Sequence, residues 1–170
     1  MNPFTQFPNA TPETVWAAMQ ETDRRMKELQ KMMGGMANSH GSFAEEYFFN
    51  SFEENQKVFL GEKFDEIEPN LKGIEEGYKD EYDITLINGK TVGIIEVKFS
   101  ARVDDIRQVL RKAQTFRVNF PKFTKHKIFL GLASMTFTKP VEAACKRNGI
   151  AIVKQVGDTV VIYDEHLKAY

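Results

Sequence analysis

The chain has 170 residues, 42% hydrophobic and 28% charged, with a net charge of −1 and one cysteine. That size suits one globular domain plus an appendage, and the composition excludes a disulfide framework. The polar start, MNPFTQFPNA, lacks a secretory signal, and no apolar run approaches the roughly 20 residues that span a bilayer, so a cytoplasmic protein without a membrane segment is expected.

Residues 1–10 read as a loose leader. Thr11-Pro12-Glu13 then opens a helix, with Thr as N-cap, Pro at the first helical position and an acid in the first turn. Val15, Met19, Thr22, Met26, Leu29 and Met33 follow at steps of four and three, the spacing of a coiled-coil seam, so a homo-oligomer through this helix is one expectation. Gly34-Gly35 should stop the helix and residues 36–42 should form a linker, which divides the chain into 1–40 and 41–170.

A second helix is expected over 42–56 and a first strand over 63–71, interrupted by Pro69. Strands over 82–86 and 91–99 flank Asn88-Gly89, the pair that best supports a two-residue hairpin turn. Residues 103–116 form a helix with Val103, Ile106, Leu110 and Ala113 on one face. The run KIFLGLAS, 127–134, is apolar throughout, like a strand covered on both faces. A short helix over 140–147 stops at Asn148-Gly149, and 150–153 with 159–163 close a hairpin across Gly157-Asp158. The order is that of a mixed α/β layer architecture.

Charge is distributed unevenly. Residues 42–83 carry thirteen acids against four lysines, whereas 106–141 carry no acid and eight basic residues, Arg107, Arg111, Lys112, Arg117, Lys122, Lys125, Lys127 and Lys139. Such a block offers a positive surface to a phosphate backbone. A solvated helix and loop is the plainer alternative. His40, His126 and His166 share no ligand spacing, Cys145 reads as a small buried residue, and no glycine-rich phosphate loop is present.

The strand GIIEVKFS, 93–100, carries Glu96 and Lys98 on a segment otherwise fit for burial. With Ile87 paired to Lys90 across the turn, Asp83 falls opposite Ile94 and becomes a diagonal neighbour of Glu96. Two carboxylates about 4 Å apart repel by roughly 4 kcal/mol at an effective dielectric near 20, so the pair needs a cation. Lys98 offsets one charge. A hard divalent ion such as Mg2+ offsets both.

Asp83, twelve residues on Glu96-Val97-Lys98, and a glutamate on the preceding GSFAEEYFFNSF helix together resemble the PD-(D/E)XK nuclease superfamily over residues 41–135, and within it a branch with an N-terminal coiled-coil helix. Tyr82 stands where the nominal pattern has proline. The resemblance implies a restriction-endonuclease-like mixed β-sheet flanked by helices: an α-β-β-β-α-β core, a C-terminal helix and hairpin, and a long N-terminal helix in front. It also implies Asp83 and Glu96 as ligands of Mg2+, or Mn2+ in its place, and Lys98 as the catalytic lysine. The helical glutamate is Glu45, which at 100° per residue projects among Phe48, Phe49 and Phe52, with Glu46 the competitor. It would serve as a third catalytic and metal-ligating acid.

Gln108 is the expected accessory residue on the following helix, with Gln114 competing. Arg107, Arg111, Lys112, Arg117, Lys122 and Lys125 are the expected nucleic-acid contacts. A metal-dependent nuclease acting on DNA, with RNA as the other substrate, is therefore the leading expectation. A non-catalytic nucleic-acid-binding module on the same fold and an oligomeric scaffold are the alternatives.

Overall fold

The computed structural model describes residues 11–55 and 58–170, with only the backbone described for 30–38 and 58. The leader expected over 1–10 and the expected helix end at Gln56 lie outside these residues. The chain divides into two compact units, Met1–Ser39 and His40–Tyr170.

Helix α1, Pro12–Glu54, begins as its capping sequence requires. The Thr14 N–H donates to Thr11 Oγ1 (3.3 Å) and the Thr11 N–H donates to Thr14 Oγ1 (2.8 Å), a reciprocal arrangement that satisfies two backbone donors. The expected stop at Gly34-Gly35 and the linker over 36–42 are corrected, because the backbone stays helical through both. Glycine lowers helix propensity by about 1 kcal/mol, whereas proline removes a backbone donor and clashes. No proline lies between Pro12 and Pro69, so nothing in this stretch breaks the hydrogen-bond ladder. Among the described residues no helix is long and apolar enough to cross a membrane.

The second unit is a mixed α/β layer built on a six-stranded sheet. A short hairpin, β1 Val58–Phe59 with β2 Glu62–Lys63, precedes it; sequence reading missed this element. The sheet comprises β3 Glu66–Gly73, β4 Asp80–Ile87, β5 Thr91–Ser100, β6 Lys127–Thr136, β7 Ala151–Val156 and β8 Thr159–Tyr163, in that spatial order. β3, β4 and β5 form an antiparallel meander, and β8 returns antiparallel to β7. β5, β6 and β7 are parallel, joined by α2 Asp105–Asn119 and α3 Lys139–Arg147. Pro69 stays in the ladder opposite Ile84 because β3 is an edge strand, where a missing donor faces outward. At the end of α3, Gly149 takes φ +65°, and a Cβ there would meet the backbone of Lys168 at 2.8 Å, so this stop is fixed by space as well as by conformation.

Both faces of the sheet are covered. Ala44, Phe48 and Phe52 of α1 pack on Ile84, Ile95, Val97, Ala133 and Val153. On the other face Ile106, Val109, Ala113 and Phe116 of α2, with Val141, Ala144 and Cys145 of α3, pack on Ile94, Leu130, Leu132 and Ile152. The buried stripe of α2 is thus Ile106, Val109, Lys112, Ala113 and Phe116. Val103, expected on it, precedes the helix and is exposed. Phe116 and Phe123 are buried and stack on each other at 5.7 Å, so they belong to the core.

Phe48 is fully buried and Phe43, on the same helix, is 54% exposed. Phe48→Ala should cost about 3–5 kcal/mol and Phe43→Ala well under 1 kcal/mol in chemical denaturation. Equal costs would show that α1 does not pack through the Ala44, Phe48 and Phe52 stripe.

Candidate active site

The site forms where β4 leaves β5. Their ladder pairs Ile87 with Val92 and ends at Ile84 and Ile95. The turn sits one residue later than expected. The Asn88 N–H donates to the Thr91 carbonyl (3.1 Å), and Asn88 Oδ1 accepts from the N–H groups of Lys90 (3.0 Å) and Thr91 (2.8 Å). Asn88 therefore caps the turn rather than lying inside it. The register shifts by two residues, and carried one step past its last pair it would set Asp83 opposite Glu96 rather than diagonal to it.

Beyond Ile84 the strand also changes face. Tyr82 belongs to the core under α2, and Ile84, two residues on, belongs to the core under α1. Regular alternation would put them on one face. The neighbouring strand is distorted at the same level: Asn70 takes φ +48°, and the β3 pairing skips from Pro69 to Leu71. The ladder interrupted here leaves the Val97 N–H to the Asp83 carboxylate, which accepts it through Oδ2 at 2.8 Å. A carboxylate thereby replaces a backbone acceptor, and β4 and β5 stay tied where they part.

Glu96 is buried, and each of its oxygens faces an ammonium. Lys98 Nζ lies 3.3 Å from Oε1, and Lys112 Nζ lies 3.3 Å from Oε2 without hydrogen-bond geometry, so Oε2 is a buried oxygen without a hydrogen-bond partner. Lys98 keeps 30% of its side chain exposed, whereas Lys112 keeps 4%. Lys112 also donates to Asp80 Oδ1 (2.8 Å) and to the Glu81 carbonyl. Burial opposes its charge, but Glu96, Asp80 and Asp83 outweigh burial and raise its pKa above the usual lysine range.

Glu45 is half-buried and Glu46 exposed. Both line a pocket of about 290 Å3 with Ser42, Phe49, Pro69, Asn70 and Asp83. Burial, then the charges of Glu81 and Glu96, raise the Glu45 pKa against the opposing Lys98. The structure therefore brings Glu45, Asp83, Glu96 and Lys98 into one neighbourhood.

Three expected site residues are placed otherwise. Lys112 is buried and bound to carboxylates, so it presents no charge to a phosphate backbone. Arg117 spends its guanidinium on the carbonyls of Thr124 (2.9 Å), His126 (3.2 Å) and Tyr170 (2.5 Å), pinning the chain end to α2. Gln108 is exposed, and the α2 residue that reaches the carboxylates is Lys112, one turn further on. Arg107, Arg111, Lys122 and Lys125 are exposed, with Lys122 4.9 Å above the Phe123 ring. Sequence reading missed Asp80 and took Lys112 for a phosphate contact rather than a partner of the carboxylates. Lys112 follows Val109 by three residues and precedes Phe116 by four, so a lysine on an apolar stripe was the available signal.

Among the described residues no three His, Cys, Asp or Glu side chains converge as a metal cluster, so Glu45, Asp83 and Glu96 do not form one coordination sphere. Asp83 and Glu96 by themselves fit a hard cation. They are oxygen donors, and their mutual repulsion is what a divalent ion relieves.

No family model and no curated protein matches the sequence. Among solved structures the chain is similar to Can2 from Sulfobacillus thermosulfidooxidans in complex with cyclic tetra-adenylate, with TM-score 0.49 and 19% identity, covering 66% of this chain and 32% of that one. It is also similar to a repair endonuclease from Pyrococcus abyssi, with TM-score 0.46 and 16% identity, covering 65% of this chain and 46% of that one. The chain thus spans less than half the length of either protein.

Burial, then the neighbouring Glu96 charge, raises the Asp83 pKa from its ordinary 3.8 to about 7. A carboxyl that holds its proton more tightly when folded supports the fold below pH 4 and loses that support as pH rises through 7. Asp83→Asn, which keeps an acceptor for the Val97 N–H, should therefore stabilise the metal-free protein at pH 8 by up to roughly 4 kcal/mol and change little at pH 4. Urea unfolding at the two pH values checks this; a variant less stable than wild type at pH 8 would contradict the assigned strain.

Proposed function

We propose that the chain is a metal-dependent nuclease of the PD-(D/E)XK, restriction-endonuclease-like kind, hydrolysing phosphodiester bonds of DNA. The observation that carries the reading is the meeting of Asp83 and Glu96 where β4 parts from β5, with the Lys98 ammonium 3.3 Å from Glu96 and partly exposed. A pair of acids, one buried and one half-buried, held against its own repulsion is costly to the fold, and such strain is characteristic of sites of chemistry.

In this reading Asp83 and Glu96 hold Mg2+, for which Mn2+ substitutes. When bound, the ion supplies polarisation of the phosphoryl group and a lowered pKa for the attacking water. Lys98 is the one ammonium of the site that reaches solvent as well as Glu96, so it can touch a phosphate oxygen and stabilise the charge that develops there. Glu45, half-buried at the pocket beside Asp83, orients water there. Exposed Arg107 and Arg111, at i and i+4 on α2, and exposed Lys122 and Lys125 after it supply the backbone contacts.

Cleavage of labelled linear, branched and single-stranded DNA with Mg2+ or Mn2+ tests the reading. Lys98→Ala should lower cleavage roughly 100-fold or more with fold and metal binding retained, and Lys98→Arg should not restore it fully, because a planar guanidinium does not replace a compact ammonium. Metal bound at Asp83 and Glu96 without cleavage of any nucleic acid would overturn the enzymatic reading and leave a binding module.

DNA affinity should also fall steeply with salt, and Arg107→Ala with Arg111→Ala should flatten the slope of log affinity against log salt by about 0.9 per lost contact. An unchanged slope would remove α2 from the interface.

A further inference from the structure

Lys112 has no role in the reading above, yet it is the most deeply buried charge on α2. A lysine that is 3% exposed is tolerated only where its charge is paired and its protons are used. Two of its three protons are committed, to Asp80 Oδ1 and to the Glu81 carbonyl. The remaining approach is to Glu96 Oε2 at 3.3 Å.

The residues that hold the ammonium are themselves held. The Thr115 hydroxyl donates to Asp80 Oδ2 (2.7 Å), the Tyr82 hydroxyl donates to Thr115 Oγ1 (2.8 Å), and Asn119 Nδ2 donates to the Tyr82 hydroxyl oxygen (3.3 Å). This chain ties two turns of α2 to β4 and fixes where the ammonium stands. Burial works against ionisation of Asp80, and the Lys112 and Thr115 hydrogen bonds outweigh it, so its carboxyl stays charged.

The two lysines therefore differ in kind. Lys98, on the Oε1 side, is partly exposed and free to meet a substrate, whereas Lys112, on the Oε2 side, is sealed from solvent and held by Asp80 and the Glu81 carbonyl. We propose that Lys112 is the positioning residue of this site, an internal counter-cation that holds Glu96 in place through Oε2 and keeps the acid pair assembled until a divalent ion binds. Oε1 is then left on the side of the partly exposed Lys98. The proposal rests on the metal-site reading, because it gives Lys112 the work of a cation in the metal-free protein.

The test compares melting temperatures with and without Mn2+ for wild type, Lys112→Met, Glu96→Gln, the double variant and Asp83→Ala. Lys112→Met should melt lower than wild type without metal and gain at least about twice the wild-type shift when Mn2+ is added, because the ion then supplies the missing charge. Glu96→Gln should raise the melting temperature more in the Lys112→Met background than in wild type, because it removes a buried charge left unpaired there.

Equal Mn2+ shifts in wild type and Lys112→Met, or an equal effect of Glu96→Gln in both backgrounds, would overturn the proposal. If Lys112→Met does not fold even with Mn2+, the double variant decides: it must be more stable than the single, and a double variant that also fails to fold overturns the proposal. An Mn2+ shift absent from wild type, or unchanged in Asp83→Ala, is instead a failure of the metal-site reading. The Lys112–Glu96 coupling measured without metal still decides the positioning role in that case.

Discussion

The hydrogen bond from the Val97 N–H to the Asp83 carboxylate stands where a backbone carbonyl would continue the sheet, and the rest of the site follows from that exchange. Up to Ile84 and Ile95 the two strands are an ordinary antiparallel pair. Past that point β4 turns its side chains to the other face, Tyr82 sinks under α2, and the edge strand accommodates the change with Asn70 at positive φ. The interruption is stable because the orphaned donor finds an acceptor, and asparagine is among the few residues that enter the left-handed region readily. A carboxylate is thereby set between the parting strands, near the Glu96 charge and at the edge of a pocket.

Burying acids this way is expensive, and the fold compensates more fully on one side than on the other. The Lys112 ammonium, Asp80, Thr115 and Tyr82 form a sealed network against Glu96 Oε2. On the other side stand Lys98, partly exposed, and the pocket lined by Glu45 and Asn70. Desolvated ion pairs contribute little net stability but are costly to break, so such a network serves geometry more than folding energy. The half-compensated side is where an added cation and a phosphate would be received, and the raised pKa of Asp83 marks the same imbalance.

The sequence was informative wherever one local rule governed the outcome. KIFLGLAS is the central covered strand, Gly157-Asp158 makes the closing turn, and Asn148-Gly149 ends α3. It misled where two rules competed. Gly34-Gly35 lowers helix propensity without removing a donor, so the helix continues. Asn88-Gly89 suits the inside of a tight turn, but the Asn88 side chain caps that turn instead, and the two-residue shift of register takes Asp83 off the diagonal of Glu96. Lys112 was hidden in a basic run whose charge suggested a surface, while its spacing from Val109 and Phe116 already placed it on the buried stripe. The face change at Asp83 has no local signature, because it depends on three strands at once.

In the proposed function Asp83 and Glu96, brought together where β4 and β5 part, hold one divalent ion between them. Anomalous diffraction from crystals grown with Mn2+ tests this without reliance on activity or substrate. A peak in direct contact with a carboxylate oxygen of Asp83 and with one of Glu96 is expected, lost in an Asp83→Ala crystal. A peak that touches neither carboxylate, or an ordered Mn2+ elsewhere with this pair left bare, would contradict it.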